Sequence, residues 1–238
     1  MKESEVIMVN TENLIFGDSL INRLERLWNH ANVDLKKWIK DGDIVVIKTH
    51  FGHMNQTRHL RPMYIRKIVD LIKKSGGIPW VAEATGLELS VANKESNMTT
   101  GPAYQSLAVR HGFSFATLDA PIVILDGVWG TDVKITPNPQ GKYLKKTAVA
   151  MGLFAADKIL IVSHFKGHDL GGFGGALKQL AMGCVGKQGK GDAHFGKGNF
   201  YIKNAGNCNA CGRCLKVCPT ECLSLKNGKI VQDISRCT

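Results

Sequence analysis

The sequence predicts an α/β protein: a largely parallel sheet with helices on both faces, followed by a small cysteine-rich module. Three observations carry this reading. Short apolar runs such as Ile44–Ile47 and Lys158–Val162 alternate with segments whose apolar residues recur at i, i+3 and i+4. Clusters of Gly, Asp and Pro separate them. Six of the seven cysteines fall in the last thirty-one residues. The expected division is an α/β domain over 1–203 and the cysteine module over 204–238, with the boundary where Gly and Asn gather near Asn204–Asn207.

The elements follow in order. Glu5–Val9 is a short strand candidate. Asp18-Ser19 can cap a helix carrying Leu20, Ile21, Leu24, Leu27 and Trp28 on one face. Asp41-Gly42-Asp43 is turn chemistry, and the apolar run Ile44–Ile47 suits a strand buried on both faces. Pro62 fits the first turn of a helix that runs to Lys74 and stops at Ser75-Gly76-Gly77. Ile78–Ala82 returns to strand, and Ala103–Arg110 to helix, ended by His111-Gly112. Pro121–Leu125 is strand-like, with the turn Asp126-Gly127 behind it. Pro137-Asn138-Pro139-Gln140-Gly141 is a loop, Lys145–Ala155 has a helical pattern, and Lys158–Val162 is the strongest strand. Gly174–Met182 is a short helix, and Gly183–Asn199, rich in Gly and Lys, reads as a mobile loop.

The chain has 238 residues, 44% hydrophobic and 21% charged, a globular composition that excludes wholesale disorder. No apolar run approaches the ~18 residues that span a bilayer. The polar start MKESEVIMVN lacks the apolar stretch of a signal peptide, so the expected location is the cytoplasm, without a disulfide framework. Net charge is +11. Between Lys134 and Lys203 stand eleven lysines against three acids, so most of that excess lies in under a third of the chain. Such a face is either plainly solvated or meets an anionic partner: an acidic redox protein or a small anionic ligand. Aromatics, at 7%, are not interleaved with the lysines as stacking platforms would be, which disfavours nucleic acid.

The sharpest motif is Cys208-Asn-Ala-Cys211-Gly-Arg-Cys214-Leu-Lys-Val-Cys218-Pro219, which is C-x2-C-x2-C-x3-C-P. This is the bacterial ferredoxin run for a [4Fe–4S] cluster. Two-residue spacers let a tight turn present successive thiolates to one cubane. Gly212 lets the backbone pass close to the inorganic sulfides, and Pro219 stiffens the exit. Zinc sites more often pair two C-x2-C hooks across a longer spacer. Cys222-Leu-Ser-Leu and Lys229-Ile-Val, joined by Asn227-Gly228, read as a hairpin, with Cys222 as a packing residue.

Together with the cysteine run, several stretches resemble the uncharacterised iron–sulfur-centre proteins, in which a domain of unknown function precedes a two-cluster ferredoxin module. They are Lys48-Thr-His-Phe-Gly52; Arg61-Pro62 and the helix end Lys74-Ser-Gly-Gly77; Ala120-Pro121-Ile-Val-Ile124 with Asp126-Gly127; and Ser163-His-Phe-Lys-Gly-His168 running into Gly172-Phe-Gly-Gly-Ala-Leu-Lys178. The resemblance implies two [4Fe–4S] clusters in the complete natural protein. In such modules the fourth cysteine of each run ligates the other cluster. Cys208, Cys211 and Cys214 would then hold one cluster, and Cys218 and Cys237 would belong to the second. Asp233-Ile-Ser-Arg-Cys237 has the look of a second run that opens one residue before the chain stops. The expectation for this chain is therefore an incomplete, substituted or absent cluster.

In the α/β part, polar residues follow three of the expected strands, where open α/β sheets place their ligands. Lys48 and His50 follow the first run, Glu83 the second, and His164, Lys166, His168 and Asp169 the run Lys158–Val162. If these strands are parallel neighbours, their ends share one crevice. His50, Glu83, His164, Lys166 and His168 are the candidate catalytic residues there, with a histidine or Glu83 as acid or base. His53, His59 and His194 are weaker candidates, and His30 and His111 read as helix-end surface residues. The glycines of Gly171–Gly175 do not make a dinucleotide fingerprint, since Leu177 stands where a third glycine is needed; they read as a flexible loop leading into a helix N-terminus, a site for a carboxylate or phosphate or a close backbone packing against the sheet.

The leading expectation is an iron–sulfur redox protein relaying electrons to or from the crevice or a partner, and so an oxidoreductase or a component of one. The alternatives are a metal- or anion-binding α/β protein with a structural cluster, and a basic nucleic-acid-binding protein with a zinc-type knuckle.

Overall fold

The computed structural model describes residues 6–12, 18–30, 35–87, 99–168, 172–195, 202, 205–218 and 221–233. Helices α1 (Leu20–Trp28) and α2 (Leu35–Trp38) lead to strand β1 (Ile44–Lys48), helix α3 (Pro62–Lys74) and strand β2 (Ile78–Glu83). Helices α4 (Gly101–Arg110) and α5 (Phe115–Leu118) precede β3 (Ile122–Ile124). A hairpin follows, β4 (Val133–Pro137) with β5 (Lys146–Ala150), then a 3-10 turn over Met151–Ala155 and strand β6 (Lys158–Ile161). A second small hairpin, β7 (Lys166–His168) with β8 (Gly172–Gly174), runs into helices α6 (Ala176–Ala181) and α7 (Lys187–Phe195). The cysteine region contributes α8 (Arg213–Val217) and the hairpin β9 (Leu223–Lys226)–β10 (Lys229–Gln232).

The main sheet has four strands, ordered β3-β2-β1-β6, all parallel. Each crossover obeys the expected grammar. Ser19 caps α1 through Asn22 N–H, Arg61-Pro62 opens α3, and Thr100 caps α4 through Ala103 N–H. Behind α3, Gly76 sits at φ +89° and Gly77 packs so tightly that an added Cβ would lie 2.9 Å from both Ile39 and Ile72.

Side chains alternate across β1 and β2, so each strand feeds two cores. Val45, Ile47 and Val81 pack with α1, α3 and α4 through Trp28, Ile65, Val69, Tyr104 and Leu107. Val46 and Ala82 face the other way, onto Leu125, Ala150, Leu153 and Cys184. Helices thus lie directly on one face. The other is covered by β5 and the 3-10 turn, with α7 packed on β5 and α6 against β6.

Four expectations need correction. Residues 6–9 form no strand; Val6 and Met8 are exposed, with no sheet edge beside them, and Glu5 lies outside the described residues. Lys145–Ala155 is β5 plus a 3-10 turn, because Ala148 and Ala150 are buried at a spacing of two and pair with β4. Gly183–Asn199 contains the helix α7. Its glycine is a packing device: a Cβ on Gly189 would lie 3.0 Å from the Ala148 carbonyl oxygen. Gly172–Gly174 forms β8 of a hairpin, not a loop.

In the cysteine region, Asn227 and Gly228 both have positive φ, the geometry of the two-residue hairpin turn their sequence predicts. Cys222 and Ile230 are buried between these small elements. Among the described residues no helix is long and apolar enough to cross a membrane.

Candidate functional site

Strand register brings the chemistry together. Lys48 pairs across to Ala82 on one side and Ile161 on the other, and Glu83 pairs with Ile124. The carboxyl ends of β1, β2 and β6 therefore stand side by side. Beyond them opens a crevice of about 320 Å3, the size of a small-molecule site. His50, Glu83, His164, Lys166 and His168 all line it. Lys48 lies beneath it, fully buried, and Asp169 falls outside the described residues.

Glu83 forms the floor of the crevice. One of its oxygens takes an ion pair from Lys48 Nζ and the Ala84 N–H at 2.9 Å. The other meets His50 Nδ1 at 3.0 Å and the Tyr104 hydroxyl at 3.3 Å. Burial pushes this carboxyl up, but Lys48 and His50 outweigh it and hold it at about 2. Glu83 is thus an ionised, fully engaged anchor and has no proton to give.

His50 is the group it orients. A carboxylate only accepts, so the shared proton sits on Nδ1, which also lies 2.8 Å from the Tyr104 oxygen. Nε2 is then the ring nitrogen left for the crevice, as in a carboxylate–histidine dyad. Lys48 in turn reaches Gln179 Oε1 at 2.6 Å and the Thr49 carbonyl at 3.3 Å. The Tyr104 phenol, buried and beside Glu83, is pushed well above its ordinary range and stays protonated.

Six of the eight histidines line the crevice, including His53, His59 and His194. His53 is held at about 4 by burial, then by His50 and the lysines Lys166 and Lys178, so it is neutral at pH 7. His59 is also pushed down, by burial and by His111. His111 is no surface residue: its ring stacks on His59 at 4.4 Å and its Nδ1 meets the Phe51 carbonyl at 2.6 Å. His30 is exposed, as its sequence position suggests.

The remaining charged lining is Arg58, Lys166, Lys178 and Lys190, against Glu83 as its one acid among the described residues. Three buried polar atoms of the lining have no hydrogen-bond partner among the described residues: Thr49 Oγ1, His59 Nδ1 and His164 Nδ1. Crevice walls of this charge, with unspent polar atoms, suit a small anion.

Sequence reasoning missed Tyr104, Arg58 and Lys190. Tyr104 lies on a helix face that reads as ordinary core, and it is indeed 1% exposed. Lys190 sits in the glycine–lysine stretch that reads as solvated surface.

In the cysteine run, Cys208 and Cys218 are half-buried and Cys211 and Cys214 exposed; Cys237 and Pro219 lie outside the described residues. Ala210 and Gly212 take left-handed φ of 57° and 70°, turning the chain sharply between successive cysteines. The Ala210 N–H donates to Cys208 Sγ at 3.4 Å. Cys218 Sγ lies 3.5 Å from Cys222 Sγ. Among the described residues no group of three or more His, Cys, Asp or Glu side chains is gathered around one metal position. The thiols stand on left-handed turns, with the Ala210 N–H directed at Cys208 Sγ, a set of soft sulfur donors.

Residues 45–233 match a domain of unknown function, DUF362. Neither a curated protein nor a solved structure matches the chain.

Proposed function

Starting from a chain that belongs to the DUF362 family, whose description assigns no chemistry, we propose an iron–sulfur redox protein whose α/β crevice binds a small anion. The observation that carries the reading is the C-x2-C-x2-C-x3-C run with its left-handed residues Ala210 and Gly212. In this reading Cys208, Cys211 and Cys214 hold a [4Fe–4S] cluster, and Cys218 and Cys237 serve a second one. Bound there, a cluster takes up and releases single electrons. In the crevice, Arg58, Lys166 and Lys178 attract the anion, and His50, steadied by Glu83 and Tyr104, accepts or returns a proton at Nε2. The protein would then be an oxidoreductase or a component of one.

The test is anaerobic purification, iron and sulfide analysis, and EPR before and after dithionite. Iron and acid-labile sulfide with a dithionite-dependent signal support the reading; stoichiometric zinc without iron overturns it. The crevice is tested separately by calorimetric titration with inorganic phosphate.

The charge of the crevice also favours a second reading, an anion-binding protein in which the cluster is structural. Phosphate binding together with a cluster that no physiological reductant reduces would select it.

The lysine-rich segment suits an acidic redox partner. With an acidic flavodoxin as electron donor, the bimolecular reduction rate should fall about tenfold or more as salt rises to about 0.5 M, because exposed charges are screened. A rate indifferent to salt would remove this role from the lysines.

A further inference from the structure

We propose that Lys190 is a crevice nucleophile whose amine condenses with the carbonyl of a small anionic aldehyde or ketone to form a Schiff base. The proposal rests on the anion-binding reading of the crevice and goes beyond it by naming a reacting atom and a ligand class.

The argument begins with a count of buried charge. Among the described residues, three buried amines, Lys48, Lys187 and Lys190, and two buried carboxylates, Glu83 and Asp126, lie beneath the crevice. Lys48 is matched to Glu83. Asp126 must serve the other two, and both its oxygens are already bound by Thr85, one by the N–H at 2.8 Å and one by the hydroxyl at 2.7 Å. Lys187 Nζ turns to the Thr99 carbonyl at 2.6 Å. Lys190 Nζ stands 4.0 Å from Asp126 and makes its hydrogen bond to the Val185 carbonyl, a neutral acceptor. Among the described residues one ammonium thus has no counter-charge of its own, in a place where an uncompensated charge is costly. Loss of a proton removes that cost.

Burial does push Lys190 below the ordinary lysine range, with Asp126 opposing it. Lys187 is pushed the same way by burial. Of the three amines, however, Lys190 is the one that lines the crevice. Its neighbours there fit a carbonyl-bearing anion: Arg58, Lys166 and Lys178 for the negative group, and the unbonded Thr49 Oγ1 for an oxygen. A lysine amine whose proton is weakened by burial is the usual Schiff-base nucleophile.

The step balances without an oxidant or reductant. Nζ attacks the carbonyl carbon, the C–N bond forms, and the oxygen takes the proton that nitrogen loses. The C–O bond then breaks as one water leaves and C=N forms. Nε2 of His50, which carries no proton at rest and lines the same crevice, would take nitrogen's second proton and pass it to the departing hydroxyl.

The experiment uses the full chain with glyoxylate as probe and cyanoborohydride as trap at pH 7, followed by peptide mapping. The expected result is one adduct on Lys190, formed about tenfold or more faster than on exposed lysines, slowed by inorganic phosphate and absent in Lys190→Arg. Adducts spread evenly over exposed lysines, or none at all, overturn the proposal. If Lys190→Arg does not fold, as judged by circular dichroism, the wild-type map and its phosphate protection decide alone. Phosphate binding without a Lys190 adduct overturns the Schiff base and leaves the anion crevice standing; no phosphate binding overturns both.

Discussion

Replacing Glu83 by Gln should cost about 3–5 kcal/mol of folding stability, a large share of the roughly 5–15 kcal/mol a domain possesses. The carboxylate is 4% exposed and its partner Lys48 is fully buried. Removing its charge strands the Lys48 ammonium in the interior, where Gln179 and a carbonyl are its remaining acceptors. Urea unfolding followed by circular dichroism reads the effect. Glu83→Gln combined with Lys48→Met should regain much of the loss, since a pair replaced by apolar groups leaves no unpaired charge. A cost under about 1 kcal/mol would mean that the pair is solvated and contributes as a surface pair does. The acid limb has a definite sign. Glu83 is held at about 2 against an ordinary value of 4.5. Its contribution is complete above about 4.5 and is lost as pH falls toward about 2. Stability of the wild-type chain should therefore decline through that window, and the Gln variant should lack this part of the decline.

The second large effect is expected at the cysteines. In the iron–sulfur reading, Cys214→Ser should abolish the iron-dependent EPR signal, because a cluster thiolate has no equivalent in a serine hydroxyl. Replacing Cys208, Cys211, Cys214 and Cys218 together by Ser should nevertheless leave unfolding of the α/β part within about 0.5 kcal/mol of wild type. The two apolar clusters that hold it are drawn from residues 28–184 and use no cysteine but Cys184. Collapse of the α/β circular-dichroism signal in the four-serine variant would show that the cysteine region is part of that core.

The strands of the main sheet were legible because each is a compact apolar run bounded by turn residues, and their ends pointed to the crevice before any coordinates did. His50, Glu83, His164, Lys166 and His168 indeed share it. What escaped was set by tertiary contacts. Lys146–Ala150 has helical spacing by itself and becomes a strand only because Val133–Pro137 offers an edge. Helix α7 contains Gly189 and Gly191, poor helix formers, yet Gly189 lets it lie against β5. Lys187 and Lys190 look like solvated lysines in a glycine-rich stretch, and nothing local announces that both are buried. Tyr104 meets Glu83 across 21 positions of sequence, a distance over which periodicity carries no information.

The strand order has a consequence in time. β1 is an inner strand, and β6, its neighbour on one side, lies far along the chain; Ile44 N–H is bonded to the Asp157 carboxylate, 113 residues away. During synthesis at about 5–20 residues per second, β1 waits about 6–20 s for that neighbour. Through that interval its second edge stays open beside an all but complete apolar layer. The chain is therefore most vulnerable to mispairing while half made, and folding of the sheet can finish only after residue 161 has emerged. Long-range parallel pairing of this kind also slows refolding of the finished protein.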